Sequence, residues 1–424
     1  MILSIKKHVL IWKYSCRNMF IPIIYTGSFP YGDASANRIL SYAVEMAKFG
    51  HEVQVMSLVT YDQPFTDKER EDLMRCSAIT YRGINVHYVS GADFWPREKG
   101  KKVRKLWLYL RGIIRATSLL NKRKGDYTSI MTLSSSIFQH FWFSYVAKKN
   151  HVKLIIERAE LPSIEQEKSR YEKSFLGRLL ILLTKKAFKK PDAWILETQH
   201  LVDYYIPLGK PNCPYLIVPM TVDIAKYSEP TKTFSPYSPY IAYCGNMSEA
   251  DGISILIKAF SFIADKFPSY KLVLAGDSSA VPAQKQLVSD MGLDNRVVFL
   301  GRISSETVPQ FLKNASLLVL ASPTSIRSTT TMPCKVGEYL CTGNPVVVTN
   351  LGEIPKYLTD GVSAFLPEAD SPEKFAMGLE KAMNTDKDTL ISIGKEGYKV
   401  AEANFNSAIQ TKRIVDFLIE LAKK

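Results

Sequence analysis

A chain of 424 residues exceeds one ordinary domain and implies two of roughly 200 residues each. Its 46% hydrophobic and 23% charged residues are a soluble globular composition, with no uninterrupted apolar run of about 18 residues for a spanning helix. The net charge of +14 calls for an anionic partner or surface, while six scattered cysteines without a Cys-x-x-Cys pair argue against a zinc framework or a secreted disulfide scaffold. A reducing, cytosolic setting fits that cysteine usage. No His-Glu-x-x-His is present, so no metal site built from His and Cys is expected.

In chain order, residues 1–18 carry Lys6, Lys7, Lys13 and Arg17 between short apolar runs. They read as an N-terminal extension rather than a signal peptide. Phe20–Tyr25 is a strand, followed by turn residues through Gly32 and Asp33 and then a helix over Ser35–Phe49. Val53–Leu58 reads as the next strand, which completes a βαβ unit and predicts a parallel sheet. Strands follow at Ser129–Thr132, Lys153–Ile156, Ala193–Leu196 and Tyr215–Val218.

Periodicity stops in the Ser-, Pro- and Lys-rich segment 226–239, the expected linker between an N-terminal domain over 19–225 and a second domain over 240–400. Strands resume at Tyr240–Cys244, Lys271–Ala275, Arg296–Leu300, Leu317–Leu320 and Pro345–Thr349. Gly245, Gly276 and Gly301 each follow a strand, where they permit close backbone approach to a ligand or simply make tight turns. Residues 401–424 read as a terminal helix. No Gly-x-Gly-x-x-Gly follows a strand, which weighs against a dinucleotide oxidoreductase.

The densest chemical signal is Pro333 to Thr349. A helix starting near Lys335 would offer free N–H groups to a diphosphate, with the lysine adding a full charge. Glu338, three residues on, shares its face and could accept from a ribose diol; the alternative is a surface salt bridge. In the first domain Arg38 lies one turn into the helix after Gly32, as a ligand contact or a solvated surface residue. Glu157 and Glu160 follow a strand as acceptor contacts or as a charged loop.

Two segments concentrate the charge. Arg97–Lys124 holds 11 Lys and Arg against one acid, Glu98, with Trp107, Leu108, Tyr109, Leu110, Ile113 and Ile114 interleaved. Lys168–Lys190 holds eight more against Glu172. Both read as basic amphipathic helices suited to an anionic membrane surface, or as domain helices with a basic outer face. No nucleic-acid recognition motif accompanies them.

From Ile21 onward the chain resembles the family 4 retaining glycosyltransferases. The resemblance rests on markers in family order: Pro30-Tyr31-Gly32 with Arg38, Gly50-His51-Glu52-Val53, Val218-Pro219-Met220-Thr221-Val222-Asp223, Ala242-Tyr243-Cys244-Gly245, Leu274-Ala275-Gly276-Asp277, Val298-Phe299-Leu300-Gly301 and Pro333 to Thr349. It implies an α/β GT-B fold, with two Rossmann-like parallel-sheet domains facing a central cleft and the last helix returning to the first domain. It also implies a UDP- or GDP-linked sugar donor held without a metal at Gly32, Gly245, Asn246, Gly276, Thr330, Lys335 and Glu338. Acceptor contacts fall at Arg38, Glu157 and Glu160, and Lys335, Glu338 and Glu160 are the residues nearest the chemistry. The implied setting is transfer to a glycan or lipid-linked acceptor in cell-surface polysaccharide or lipopolysaccharide assembly, on the inner face of the cell membrane. The family's proposed route is a front-face substitution in which the departing phosphate takes the acceptor proton.

The departures are specific. The first Glu of the family's Glu-x7-Glu falls at Thr330. The usual diphosphate-binding Arg and Lys fall at Asn246 and Asp251, which leaves Lys335 as the cation for the diphosphate. Asp33 stands where Gly-Gly is common. A soluble transferase with a small sugar acceptor, a nucleotide-sugar epimerase and an inactive glycan- or lipid-binding relative stay open as alternatives.

Overall fold

The computed structural model describes residues 18–423 except 33, 97, 99, 135, 167 and 229–236. All of the expected N-terminal extension but Asn18, the Asp33 departure, Arg97 and Lys99 of the first basic segment, and most of the expected linker thus lie outside the described residues. The chain divides into two compact units. One runs to Val218 and takes up Ser407 onward; the other is Pro219–Asn406. The division therefore precedes the segment 226–239. The turn Ile224–Tyr227 belongs to the second unit, and its Ile224 and Tyr227 side chains are buried in that unit's core.

The first unit is an eight-stranded sheet of β1 (Phe20–Tyr25), β2 (Glu52–Ser57), β3 (Ala78–Tyr81), β4 (Ile84–Tyr88), β5 (Ser129–Leu133), β6 (Lys153–Arg158), β7 (Ala193–Leu196) and β8 (Tyr215–Ile217). The strand order is β3-β4-β2-β1-β5-β6-β7-β8. Every pairing is parallel except that of β3 with β4. Buried parallel strands are apolar on both faces: Ile23 and Ile24 of β1 and Leu154, Ile155 and Ile156 of β6 are fully buried. The β3–β4 hairpin and the helix Asp67–Cys76 leading into it carry no strong periodic signal. That helix buries only Leu73 and is held at its start by a Thr66–Glu69 capping box.

The second unit is a five-stranded parallel sheet of β9 (Tyr240–Cys244), β10 (Lys271–Ala275), β11 (Val297–Gly301), β12 (Leu317–Leu320) and β13 (Val346–Val348), in the order β11-β10-β9-β12-β13. Strand order reverses between β9 and β12. Ligands of open α/β sheets bind beyond the carboxyl ends of the strands at such a reversal.

The terminal helix expected over 401–424 is two helices, Lys387–Asn404 and Ser407–Lys423. The break has a cause: Phe405 is buried, its carbonyl accepts from Val222 N–H at 2.7 Å, and Asn406 pairs with Val222 as a β-bridge. Beyond the break, Ile414, Val415, Leu418 and Leu421 pack in one cluster with Ile39, Tyr42, Ala43 and Met46 of the helix Ala34–Lys48 in the first unit.

Candidate functional site

At the strand reversal of the second unit, three glycines bring backbone and side chains together. A Cβ on Gly276 would stand 1.8 Å from the Gly245 carbonyl, so the ends of β9 and β10 meet only because Gly276 has no side chain. A Cβ on Gly245 would stand 2.0 Å from Lys335 Cε, so the lysine stem lies flat against the end of β9. Gly252 takes φ +79°, and a Cβ there would stand 1.8 Å from the Ala321 carbonyl, so the turn Glu249–Asp251 lies tight against the end of β12.

Lys335 and Glu338 both lie on the helix Cys334–Leu340. Lys335 Nζ donates to Asp251 Oδ1 at 2.6 Å and stands 5.7 Å from the centre of the Tyr243 ring. Asp251 Oδ2 accepts from Ser248 Oγ at 2.7 Å. The Tyr339 hydroxyl donates to the Cys244 carbonyl and accepts from the Cys244 N–H, tying that helix to the end of β9. Gly337 fits against Met220 and Val222 on the helix's other side. Glu338 is half-buried, and desolvation raises its carboxyl above the ordinary value, opposed by the charges of Lys226 and Lys335. Burial, with the nearby Glu338 charge, also pushes the Cys244 thiol up to about 12.

The remaining donor-side candidates divide. Gly245 and Gly276 line the junction just described, and Asn246 is exposed beside it. Thr330 is buried at the end of the helix Ile326–Thr330, and its hydroxyl donates back to the Ile326 carbonyl at 2.7 Å. Its hydroxyl thus bonds back onto its own helix. Asp251 enters the sequence reading only as a lost cation; in the structure it is the partner of Lys335.

In the first unit Gly32 is exposed ahead of the helix Ala34–Lys48, where a Cβ would stand 2.2 Å from the Ser28 carbonyl. Arg38 is buried rather than a solvated surface residue. Its Nε donates to Glu157 Oε1 and its Nη2 to the Val218 carbonyl at 2.6 Å. The two side chains are 5% and 2% exposed. Tyr42, Glu157 and the buried Glu197 raise the guanidinium pKa above the ordinary arginine value despite burial. Glu157 lies in β6, Glu197 follows β7 and Val218 follows β8, so Arg38 links three neighbouring strand ends. Arg38 and Glu157 thus form an internal brace of the first unit. Glu197 was missed; its one sequence signal is its place after a buried strand and before Thr198, which caps the helix Gln199–Leu208. Glu160 is exposed, and its carbonyl accepts from the Tyr205 hydroxyl at 3.0 Å.

The basic segments form helices Lys102–Lys122, Lys168–Tyr171 and Phe175–Phe188, the second segment being broken before Ser174, which caps the last helix. Helix 102–122 carries two apolar stripes. Leu108, Gly112, Ile113, Ala116 and Leu120 are buried, whereas Val103, Leu106, Trp107, Leu110 and Ile114 are exposed at helical spacing. Phe175, Leu176, Leu179 and Leu182 are likewise exposed, Phe175 to 85%. The helix Ile137–Asn150 adjoins both: its Phe138 rests 6.4 Å from Tyr109 by ring centres, and the helix packs on Phe175–Phe188. Among the described residues no helix is long and apolar enough to cross a membrane.

Residues 238–385 match the family described as glycosyl transferases group 1. An uncharacterized glycosyltransferase of Methanocaldococcus jannaschii is 25% identical over 34% of this chain and 35% of its own length. A D-inositol 3-phosphate glycosyltransferase of Mycolicibacterium gilvum is 20% identical over 85% of this chain and 79% of its own. The chain thus spans about a third of the first curated relative and four fifths of the second. Among solved structures, HepE of Anabaena in complex with UDP and glucose superposes with a TM-score of 0.67 at 16% identity, covering 94% of this chain and 99% of that one. Two parallel-sheet units in this arrangement of strands are the GT-B fold.

Proposed function

We propose that this GT-B protein, which carries the glycosyl transferases group 1 domain over 238–385, is a retaining glycosyltransferase that takes its sugar from a UDP- or GDP-linked donor. One observation carries the reading. Lys335 and Glu338 project from one short helix at the strand reversal of the second unit, one cation and one carboxylate a helical turn apart. Lys335 faces the diphosphate and Glu338 the ribose hydroxyls, with Gly245, Asn246 and Gly276 around them. The charge of the departing diphosphate falls to Lys335 rather than to a metal ion, and that oxygen takes the acceptor proton in a front-face substitution. The complex of HepE with UDP and glucose supports a nucleotide-linked donor. A hydrolysis screen over UDP- and GDP-sugars, paired with calorimetry on the nucleoside diphosphates, tests it. One base family should bind and turn over, and Glu338→Ala should abolish both. No binding across the panel, or full binding by Glu338→Ala, would refute the donor site.

The acceptor we assign is a glycan or lipid-linked glycan in cell-surface polysaccharide assembly, met at the inner face of the membrane, with Glu160 as the exposed carboxylate on the acceptor side. Support comes from exposed Trp107, Leu106, Phe175 and Leu176 among the cations of 97–124 and 168–190. Anionic lipids attract such cations, and the apolar stripe gains by entering the headgroup boundary. The protein should float with anionic vesicles at physiological salt, and Trp107→Glu with Phe175→Glu should leave it in the soluble fraction. A second reading, a soluble transferase with a small sugar acceptor, is favoured by the relative named for D-inositol 3-phosphate. Failure to float, with turnover on a free sugar phosphate, would select it.

A further inference from the structure

The Lys335–Asp251 pair bears on how tightly the donor is held, and the inference drawn from it rests on the donor reading above. The lysine assigned to the diphosphate already has an anionic partner. Its Nζ donates to Asp251 Oδ1 at 2.6 Å, and the second oxygen of that carboxylate is held by Ser248 Oγ at 2.7 Å. The side chains are 20% and 11% exposed, so solvent screens the pair only in part. Both ends are braced. Gly245 leaves room for the lysine stem and no more, and Gly252 fixes the Asp251 turn against Ala321. Asp251 is therefore a built partner of Lys335 rather than a passing surface contact.

We propose that Asp251 lowers the enzyme's affinity for the nucleoside diphosphate by setting a carboxylate beside the phosphate site on Lys335. An ammonium has three N–H bonds to give, so a phosphate oxygen can join Asp251 on Lys335 without displacing it. Two anions then share one cation. A phosphate oxygen in hydrogen-bond reach of Nζ lies about 5 Å from the carboxylate, close enough for repulsion in a partly desolvated recess. The consequence is weak retention of the nucleoside diphosphate product, whose terminal phosphate carries more charge than the sugar-linked donor.

The experiment is calorimetry with UDP, GDP and the bare nucleosides on wild type, Asp251→Asn, Lys335→Gln and the double variant. Asparagine keeps the shape of the turn and the Ser248 contact while removing the charge. Asp251→Asn should bind the cognate diphosphate about tenfold more tightly (about 1.4 kcal/mol), with no change toward the nucleoside. That gain should persist in the Lys335→Gln background, where no cation offsets the carboxylate, and Asp251→Glu, which keeps the charge, should stay near the wild-type value. A general structural role would shift nucleoside and nucleotide alike. If wild type binds and Asp251→Asn lies within twofold of it, or if the bare nucleoside gains as much as the diphosphate, the inference is overturned while the donor site stands. If neither diphosphate binds any variant, the donor reading falls and this inference with it.

Discussion

Each unit of the molecule sets one cationic side chain against a carboxylate at the carboxyl ends of its strands, and the two pairs are built to opposite ends. Arg38–Glu157 in the first unit is sealed, at 5% and 2% exposure; Lys335–Asp251 in the second is left ajar, at 20% and 11%. Arg38 directs its rigid fork to two acceptors, a carboxylate and the Val218 carbonyl, as a planar guanidinium allows. Lys335 carries a compact charge on a flexible stem beside a glycine-lined junction. A charge near the end of a strand is therefore no sign of a ligand site by itself. What separates the brace from the proposed donor site is whether the partner set encloses the charge or leaves a side open.

The sealed pair offers the largest effect. Arg38→Met removes the charge and the hydrogen bonds to Glu157 and the Val218 carbonyl while leaving Glu157 and Glu197 buried. Breaking a buried pair in this way costs about 3–5 kcal/mol, most of it the stranded charge. Urea unfolding should show that loss in the first unit, and Arg38→Met with Glu157→Leu should recover much of it. Loss of donor binding without loss of stability would instead make Arg38 a ligand contact and erase the comparison.

The open pair should respond the other way. Lys335→Gln breaks a pair whose side chains are 20% and 11% exposed, so it should cost less stability than breaking the sealed one. It should nevertheless weaken nucleoside diphosphate binding roughly 10- to 150-fold, the range of a charge-assisted hydrogen bond of about 1.5–3 kcal/mol. A melting temperature that falls as far as in Arg38→Met would place both pairs in the same structural class.

How much of this was readable from the sequence depends on how far apart the partners lie along it. Ile23-Ile24, Leu154-Ile155-Ile156 and Leu317-Leu318-Val319-Leu320 announce buried parallel strands, because such strands are apolar on both faces. The β3–β4 hairpin escaped because it is short and half-exposed, and helix 67–76 because a single buried Leu73 makes no stripe. Lys335 and Glu338 are three residues apart and could be found together. Arg38 meets Glu157 across 119 residues and Val218 across 180, and Lys335 meets Asp251 across 84, so none of these pairings leaves a local pattern. The apolar residues of 102–122 were visible as a mixture; only packing separates the stripe that faces the sheet from the one that faces outward.

Glu338 supplies the finest test, since it shares the open pair's recess without being neutralised in it. Burial raises its carboxyl above the ordinary 4.5 and outweighs the pull of Lys226 and Lys335. A raised carboxyl means that the folded state binds its proton more tightly than the unfolded state does. Its contribution is then favourable in acid and is lost as pH climbs from the ordinary carboxylate range through the raised value. Glu338→Gln has no such titration and should be more stable than wild type above that window. The difference should shrink as pH falls, a trend readable from paired thermal melts at pH 4 to 8. The same substitution should weaken nucleoside diphosphate binding, because an amide accepts the ribose hydroxyls less strongly than a carboxylate. Stability gained and binding lost at one position mark a residue kept charged for its ligand. If Glu338→Gln instead destabilises the fold at neutral pH, Glu338 is satisfied within the protein as Arg38 is, and the recess is a second brace.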